Sequence, residues 1–154
     1  MEKDPVVEKS EMVILSFNDR LPTEQDFLEE QLWEEDKSSF LLLPIDAEPN
    51  EDHAMAQGIA INFPTFSDGR GLSLAFLLRN RLDFTGELRA VGDIIPDILH
   101  YLVRCGFDNA ELKNDSVDRR GQNPVSQFDL LNPYTANYQA SVVEPKPAYR
   151  RTKL

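Results

Sequence analysis

Between Met12 and Leu112 the chain alternates short apolar runs with stretches whose apolar residues recur at helical spacing, and this alternation narrows the fold to one class. Met12 to Phe17 (MVILSF) reads as a buried strand. Leu21-Pro22-Thr23 predicts a helix start, with Thr23 as the cap and Asp26 three residues on in a capping-box-like arrangement. Phe27, Leu28 and Leu32 give that helix an apolar side, and Glu29, Glu30, Glu34 and Glu35 turn to water. Phe40 to Ile45 is a second strand, followed by a short helix over about residues 50–57 that Gly58 closes. Ile59 to Phe63 is a third strand, ended by Pro64, which cannot donate to a ladder. Leu74, Leu77, Leu78, Arg81 and Leu82 trace one face of a strong helix. Glu87 to Val91 is a strand, and Asp93 then caps a helix with Pro96 in its first turn and Ile95, Ile98, Leu99 and Leu102 inward. Gly106 ends that helix, and Asn109 to Leu112 forms a final short strand.

Strand followed by helix, four times, and a closing strand implies an α/β fold: one mostly parallel sheet of about five strands with helices packed on it. The arrangement expected is flavodoxin-like, with a piece of barrel-like curvature as the alternative, since the chain is too short for a complete eight-fold barrel. Residues 1–10 read as a frayed N-terminus and residues 11–113 as the α/β domain. Residues 114–154 read as an extended segment with a basic, proline-punctuated tail. Phe128, Leu130, Leu131, Tyr134 and Tyr138 are the side chains by which that segment would pack on the domain.

A chain of 154 residues, 41% hydrophobic, is one domain able to build a core without staples. Its net charge of −11 is concentrated: residues 1–58 hold 16 acids against 4 bases. Such a surface repels polyanionic nucleic acid. No apolar run is long enough to cross a bilayer. Met1-Glu2-Lys3-Asp4-Pro5 has no basic region followed by an apolar segment, so a cytoplasmic protein is expected. The single cysteine, Cys105, allows no internal disulfide and fits a reducing compartment. One thiolate also falls short of the four that an iron–sulfur cluster normally needs.

Two loop motifs carry the candidate chemistry, Asp68-Gly69-Arg70-Gly71 and Arg89-Ala90-Val91-Gly92-Asp93, each where a strand hands over to a helix. In a parallel α/β sheet such handovers line one edge, where ligands usually bind. Gly69 and Gly71 let the backbone turn sharply, the following helix aims N–H groups at the loop, and Arg70 can grip an oxyanion at two points. In the alternative reading, Asp68 caps the helix and Arg70 pairs with a nearby carboxylate. Arg89 lies inside an interior strand and must find partners, because burying an unpaired guanidinium is costly. If the strands at 59–63 and 87–91 are neighbours, Asp68, Arg70, Arg89 and Asp93 converge at one edge. There they would form an anion or partner site, or a closed salt-bridge network that fixes loop geometry.

Other chemistry is sparse. Leu74 stands where a dinucleotide fingerprint needs glycine, no Gly-Lys-Ser/Thr loop exists, and Ala75 breaks the Gly-x-Ser-x-Gly pattern around Ser73. Cys105 reads as a small core residue, with His100 on a different helix face. His53 with Glu51 and Asp52 matches no zinc or calcium spacing. Neither a metal nor an organic cofactor is expected, and catalytic residues are not identifiable.

Taken together, Phe66-x-Asp68-Gly69-Arg70-Gly71, Leu78-Arg79, Gly86-Glu87-Leu88-Arg89-Ala90 with Gly92-Asp93, and Arg104-Cys105-Gly106-Phe107 resemble a bacterial family, domain of unknown function 934. Tyr138-Gln139 is similar to a pair near that family's C-terminus. Phe76, Ile98 and Ala110 depart from its usual residues, which are basic, Gln and aromatic respectively. The resemblance implies a role in assimilatory sulfite reduction, as an accessory protein or an oxidoreductase. The sulfite reductase haemoprotein is the implied partner. The expected function is therefore an accessory protein that binds a sulfite-reducing enzyme rather than catalysing alone. The alternative is a small-anion-binding enzyme or sensor built on the two loops.

Overall fold

A computed structural model describes residues 12–37, 39–113 and 141–142. The expected N-terminus, and the C-terminal segment apart from residues 141–142, lie outside the described residues. Six strands form one sheet: β1 (Met12–Ser16), β2 (Phe27–Glu29), β3 (Phe40–Pro44), β4 (Gly58–Phe63), β5 (Glu87–Gly92) and β6 (Asn109–Lys113). Three helices are interspersed, α1 (Glu30–Glu35), α2 (Arg70–Asn80) and α3 (Leu99–Cys105). The sheet order is β1-β6-β5-β4-β3-β2, with β2 to β6 parallel and β1 antiparallel to β6.

The mostly parallel α/β class is as the periodicity implies. The winding is that of a barrel wall left open. A flavodoxin-like sheet reverses its strand order partway and carries helices on both faces, whereas here β2 to β6 follow one another without reversal. The helices share one face. Trp33 of α1, Leu74, Ala75 and Leu78 of α2, and Leu99 and Leu102 of α3 enter a single core. They meet the alternate sheet residues Leu41, Leu43, Ile59, Ile61, Phe63, Leu88, Ala90, Ala110 and Leu112 there. The opposite set, which includes Leu42, Ala60, Arg89, Val91 and Glu111, has no helix over it among the described residues.

Three local expectations are corrected. The helix expected from Thr23 starts at Glu30, because Phe27–Glu29 pairs with β3 as a sheet edge. Thr23 caps nothing there: its N–H meets the Glu87 carboxylate and its carbonyl accepts from Arg89. The helix expected over about 50–57 shrinks to one 3-10 turn, His53–Met55, since the Nδ1 of buried His53 accepts the Asn50 N–H and its Nε2 meets Glu30. Asp93 does not cap α3, which begins at Leu99 after a 3-10 turn at Pro96–Ile98. Its carboxylate accepts the Phe66 N–H instead.

The antiparallel β1 has a physical cause. β1 and β2 are consecutive in the chain but occupy opposite edges, about 24 Å apart at a strand spacing of about 4.8 Å. Residues 17–26 bridge that span as a strap, with a reach of about 33 Å at about 3.3 Å per residue, too short to add a return along the strand length. The strap passes the N-terminal ends of β6 and β5 and reaches the helix-free face at residues 23–26. Asn18 donates to Asp108 (2.7 Å), Arg20 to the Thr85 carbonyl (2.7 Å), and Thr23 to Glu87 (3.1 Å).

Candidate functional site

The motif residues fall into two clusters at opposite ends of the parallel strands. At the C-terminal end, Gly71 lies in the first turn of α2 directly over the Phe63 ring, so closely that a Cβ there would strike the ring. Gly92 has φ +98°, a left-handed value that favours glycine, and a side chain would collide with the Phe63 carbonyl. The tight turn lets Asp93 donate its N–H to that carbonyl (2.8 Å) and accept the Phe66 N–H (3.0 Å), tying the loop after β5 to the loop after β4. Asp68 accepts the N–H of Arg70, the first residue of α2, and both its oxygens are gripped by the Arg70 guanidinium. These hydrogen bonds hold the Asp68 carboxyl below the usual carboxylate range. The place where an anion would meet the helix start is thus taken by the chain's own carboxylate, in an exposed pair.

Arg89 belongs to the other cluster. It sits near the start of β5 on the helix-free face and is 3% exposed. It donates to Asn109 Oδ1 (2.8 Å), Glu87 Oε1 (2.8 Å) and the Thr23 carbonyl (2.9 Å), and its guanidinium lies 5.0 Å from the centre of the Phe27 ring. Glu111 stands 3.6 Å from its second terminal nitrogen. Asn109, fully buried, donates in turn to Glu87 (2.9 Å). β4 and β5 are neighbours, as the convergence argument required. Asp68, Arg70 and Asp93 gather at the loop edge, while Arg89 is directed to the sheet face and bonds to none of them.

Sequence reading placed Arg79 only in a family motif and missed Asp108, and these two residues tie the same end of the sheet together. Arg79 of α2 donates to the carbonyls of Gly106 (2.9 Å), Phe84 (2.8 Å) and Gly86 (2.9 Å) and to Asp108 Oδ2 (2.8 Å). Burial pushes this guanidinium below its ordinary value, against the pull of the Asp108 carboxylate. Asp108 also receives the Leu88 N–H (2.9 Å) and the strap residues Asn18 and Arg20. One guanidinium and one carboxylate therefore join the end of α2, the turn before β5, the end of α3 and the strap. The available signal was Asp108-Asn109, two polar residues at the junction between the end of α3 and the start of β6.

Two hollows lie side by side on the helix-free face and share Leu42. One, of about 360 Å³, opens beneath the strap between Ile14, Phe27, Ala60, Arg89, Val91 and Glu111. The other, of about 390 Å³, is bounded by Glu29, Glu30, Pro44 and Asn62. Among the described residues, no group of three His, Cys, Asp or Glu is placed to hold a metal ion, and no helix is long and apolar enough to cross a membrane. Burial raises the Cys105 thiol above its ordinary value, with Arg104 opposing.

Residues 44–149 match a family described as bacterial protein of unknown function (DUF934). The chain belongs to that family. The match runs from the end of β3 through β6, so it holds the loop cluster and, of the second, Arg79, Glu87, Arg89, Asp108 and Asn109 but not Thr23 or Phe27. The strap and β1 precede it. Comparisons with curated proteins and with solved structures gave no match. Within this DUF934 chain the signature fragments are framework. Arg79 links Leu78-Arg79, Gly86-to-Ala90 and Arg104-to-Phe107, and Asp93 links Gly92-Asp93 to the Phe66 loop.

Proposed function

We propose that this DUF934 protein is an accessory protein of assimilatory sulfite reduction that binds a sulfite-reducing enzyme, the haemoprotein being the partner, and does not itself catalyse. The observation that supports this reading is the internal pairing of the signature charges. Arg70 is engaged by Asp68, Arg89 by Glu87, Asn109 and Thr23, and Arg79 by Asp108 and three carbonyls. Groups satisfied within the fold hold geometry; a reacting centre needs groups directed at a substrate. Among the described residues, the surface left for a partner is the helix-free sheet face, where Leu42 and Val91 are half-buried beside the two hollows. Sulfite reduction itself comes from the family resemblance, and a cytoplasmic location from the single cysteine, which fits a reducing compartment.

Affinity purification of the tagged chain from cells growing on sulfate is the test. The haemoprotein should co-purify, and Val91→Glu should abolish the association while leaving the unfolding midpoint close to wild type. Absence of association, together with unaltered sulfite reduction in a deletion strain, would overturn the proposal. The anion-binding reading is discriminated by calorimetry with sulfite, sulfate and phosphate: saturable binding lost in Arg70→Ala would support it over docking.

A further inference from the structure

The two edges of the sheet differ in how they resist pairing with another chain. β2 is three residues long, ends in Glu29 and is flanked by Glu24, Asp26 and Glu30, the short and charged form that blocks edge-to-edge association. The five residues of β1 itself carry no such protection. It reads Met-Val-Ile-Leu-Ser, without charge, proline or glycine, and Met12, Val13 and Ile14 are 44%, 40% and 38% exposed.

The ladder fixes which amides of β1 are free to pair. Phe17 donates to the carbonyl of Asp108, the residue opposite it in the β1–β6 register. In an antiparallel pair the residues that exchange hydrogen bonds alternate with those that do not. The N–H and C=O of Leu15 and Val13 therefore point toward β6, and those of Met12, Ile14 and Ser16 point away from the sheet. Three outward residues at a spacing of two, centred on Ile14, form a self-complementary set. About a twofold axis, Ile14 meets Ile14 of a second copy and Met12 meets Ser16, so every outward amide finds a partner.

We propose that β1 is a self-association edge, through which two copies join antiparallel to make one continuous sheet. Charge favours a second copy at this edge and not at the other. The acids of β2 and α1, Glu29, Glu30, Glu34 and Glu35, lie at the β2 edge, about 24 Å from β1 by strand spacing, beyond the ~8 Å screening length at physiological ionic strength. Pairing through β1 keeps the two acidic edges at the outer ends of the assembly. Pairing through β2 would bring them together.

Sedimentation velocity of the full chain tests this from about 5 to about 200 µM, the regime of an interface smaller than the ~1,200 Å² of standard complexes. The expected result is a concentration-dependent shift from monomer to twice the monomer mass. Ile14→Pro should weaken association at least about tenfold with little change in the unfolding midpoint, because the Ile14 N–H takes no part in the ladder with β6. Val13→Pro, whose N–H faces β6, should lower the midpoint as well. If Ile14→Pro fails to fold, Val13→Lys gives the same reading, a folded monomer. A wild-type monomer at 200 µM, or folded variants that dimerise as wild type does, would overturn the proposal.

Discussion

Arg89→Met tests whether the buried cluster holds the strap to the sheet. The methionine keeps an unbranched stem against Phe27 and removes the charge with its donors. Glu87, 6% exposed, is then left with the Thr23 N–H at 3.1 Å and Asn109 Nδ2 at 2.9 Å as its donors. The Thr23 carbonyl and Asn109 Oδ1 each lose the Arg89 hydrogen bond. Removing one partner of a buried ion pair costs about 3–5 kcal/mol, chiefly because the other charge remains buried. For a chain of this size that is a fall in Tm of about 10 °C. Glu87→Gln should cost less, since Arg89 retains Asn109, Thr23 and Glu111. The double variant should be more stable than the sum of the single losses predicts, by about 2 kcal/mol, because it buries no orphaned charge.

Urea unfolding followed by two probes gives the answer. Far-UV circular dichroism reports the whole sheet. Trp33, the only tryptophan and 1% exposed on α1, reports the edge to which the strap leads. In Arg89→Met the fluorescence transition should precede the dichroism transition if the strap detaches first. A loss below about 1 kcal/mol, the value of a solvated pair, or strictly additive single losses would refute the argument that the strap is anchored by desolvated charge.

Arg70→Ala should leave Tm unchanged, because its pair with Asp68 is exposed; a fall comparable to that of Arg89→Met would show that the two signature arginines do the same work. Gly71→Ala should destabilise by about 1–3 kcal/mol by forcing a methyl group into the Phe63 ring, measured by the same urea transition; a neutral outcome would mean that α2 shifts freely on the sheet. Folding raises the Cys105 pKa and so favours its neutral thiol, a contribution fully present below the ordinary thiol value and lost as pH rises from there through the raised native value. Iodoacetamide at about pH 8 should therefore alkylate the native chain several-fold more slowly than the urea-unfolded chain, and equal rates would refute that assignment.

The elements legible in the sequence are those whose evidence is local. The periodicity of Leu74, Leu77, Leu78 and Leu82 predicts α2, and Gly106 marks the end of α3. The direction of β1 is not local. Met12 to Phe17 reads as a buried strand, but β1 is an edge strand with Met12, Val13 and Ile14 exposed, and only the crossing to β2 makes it antiparallel. Phe27 and Leu28 fit a helix face on spacing alone, but pairing with Phe40 and Leu41 takes them into the sheet. For Arg89 the need for partners follows from its strand position. Their identity depends on β6 lying beside β5 and on the strap lying beneath both.

The winding also explains why the loop edge, the usual place to look for a ligand, yields closed pairs in this molecule. In doubly wound sheets the reversal of strand order opens a crevice at the carboxyl ends, and ligands occupy it. β2 to β6 are consecutive, so no reversal occurs and the loops after β4 and β5 pack against each other through Asp93 and Phe63. The same sequential winding puts α1, α2 and α3 on one face and leaves the other to the strap alone among the described elements. Among the described residues, the surfaces this winding leaves without a helix or a strand partner are the face beneath the strap and the β1 edge. A search for function here should therefore begin with Leu42, Val91 and β1 rather than with the glycine loops that carry the family signature.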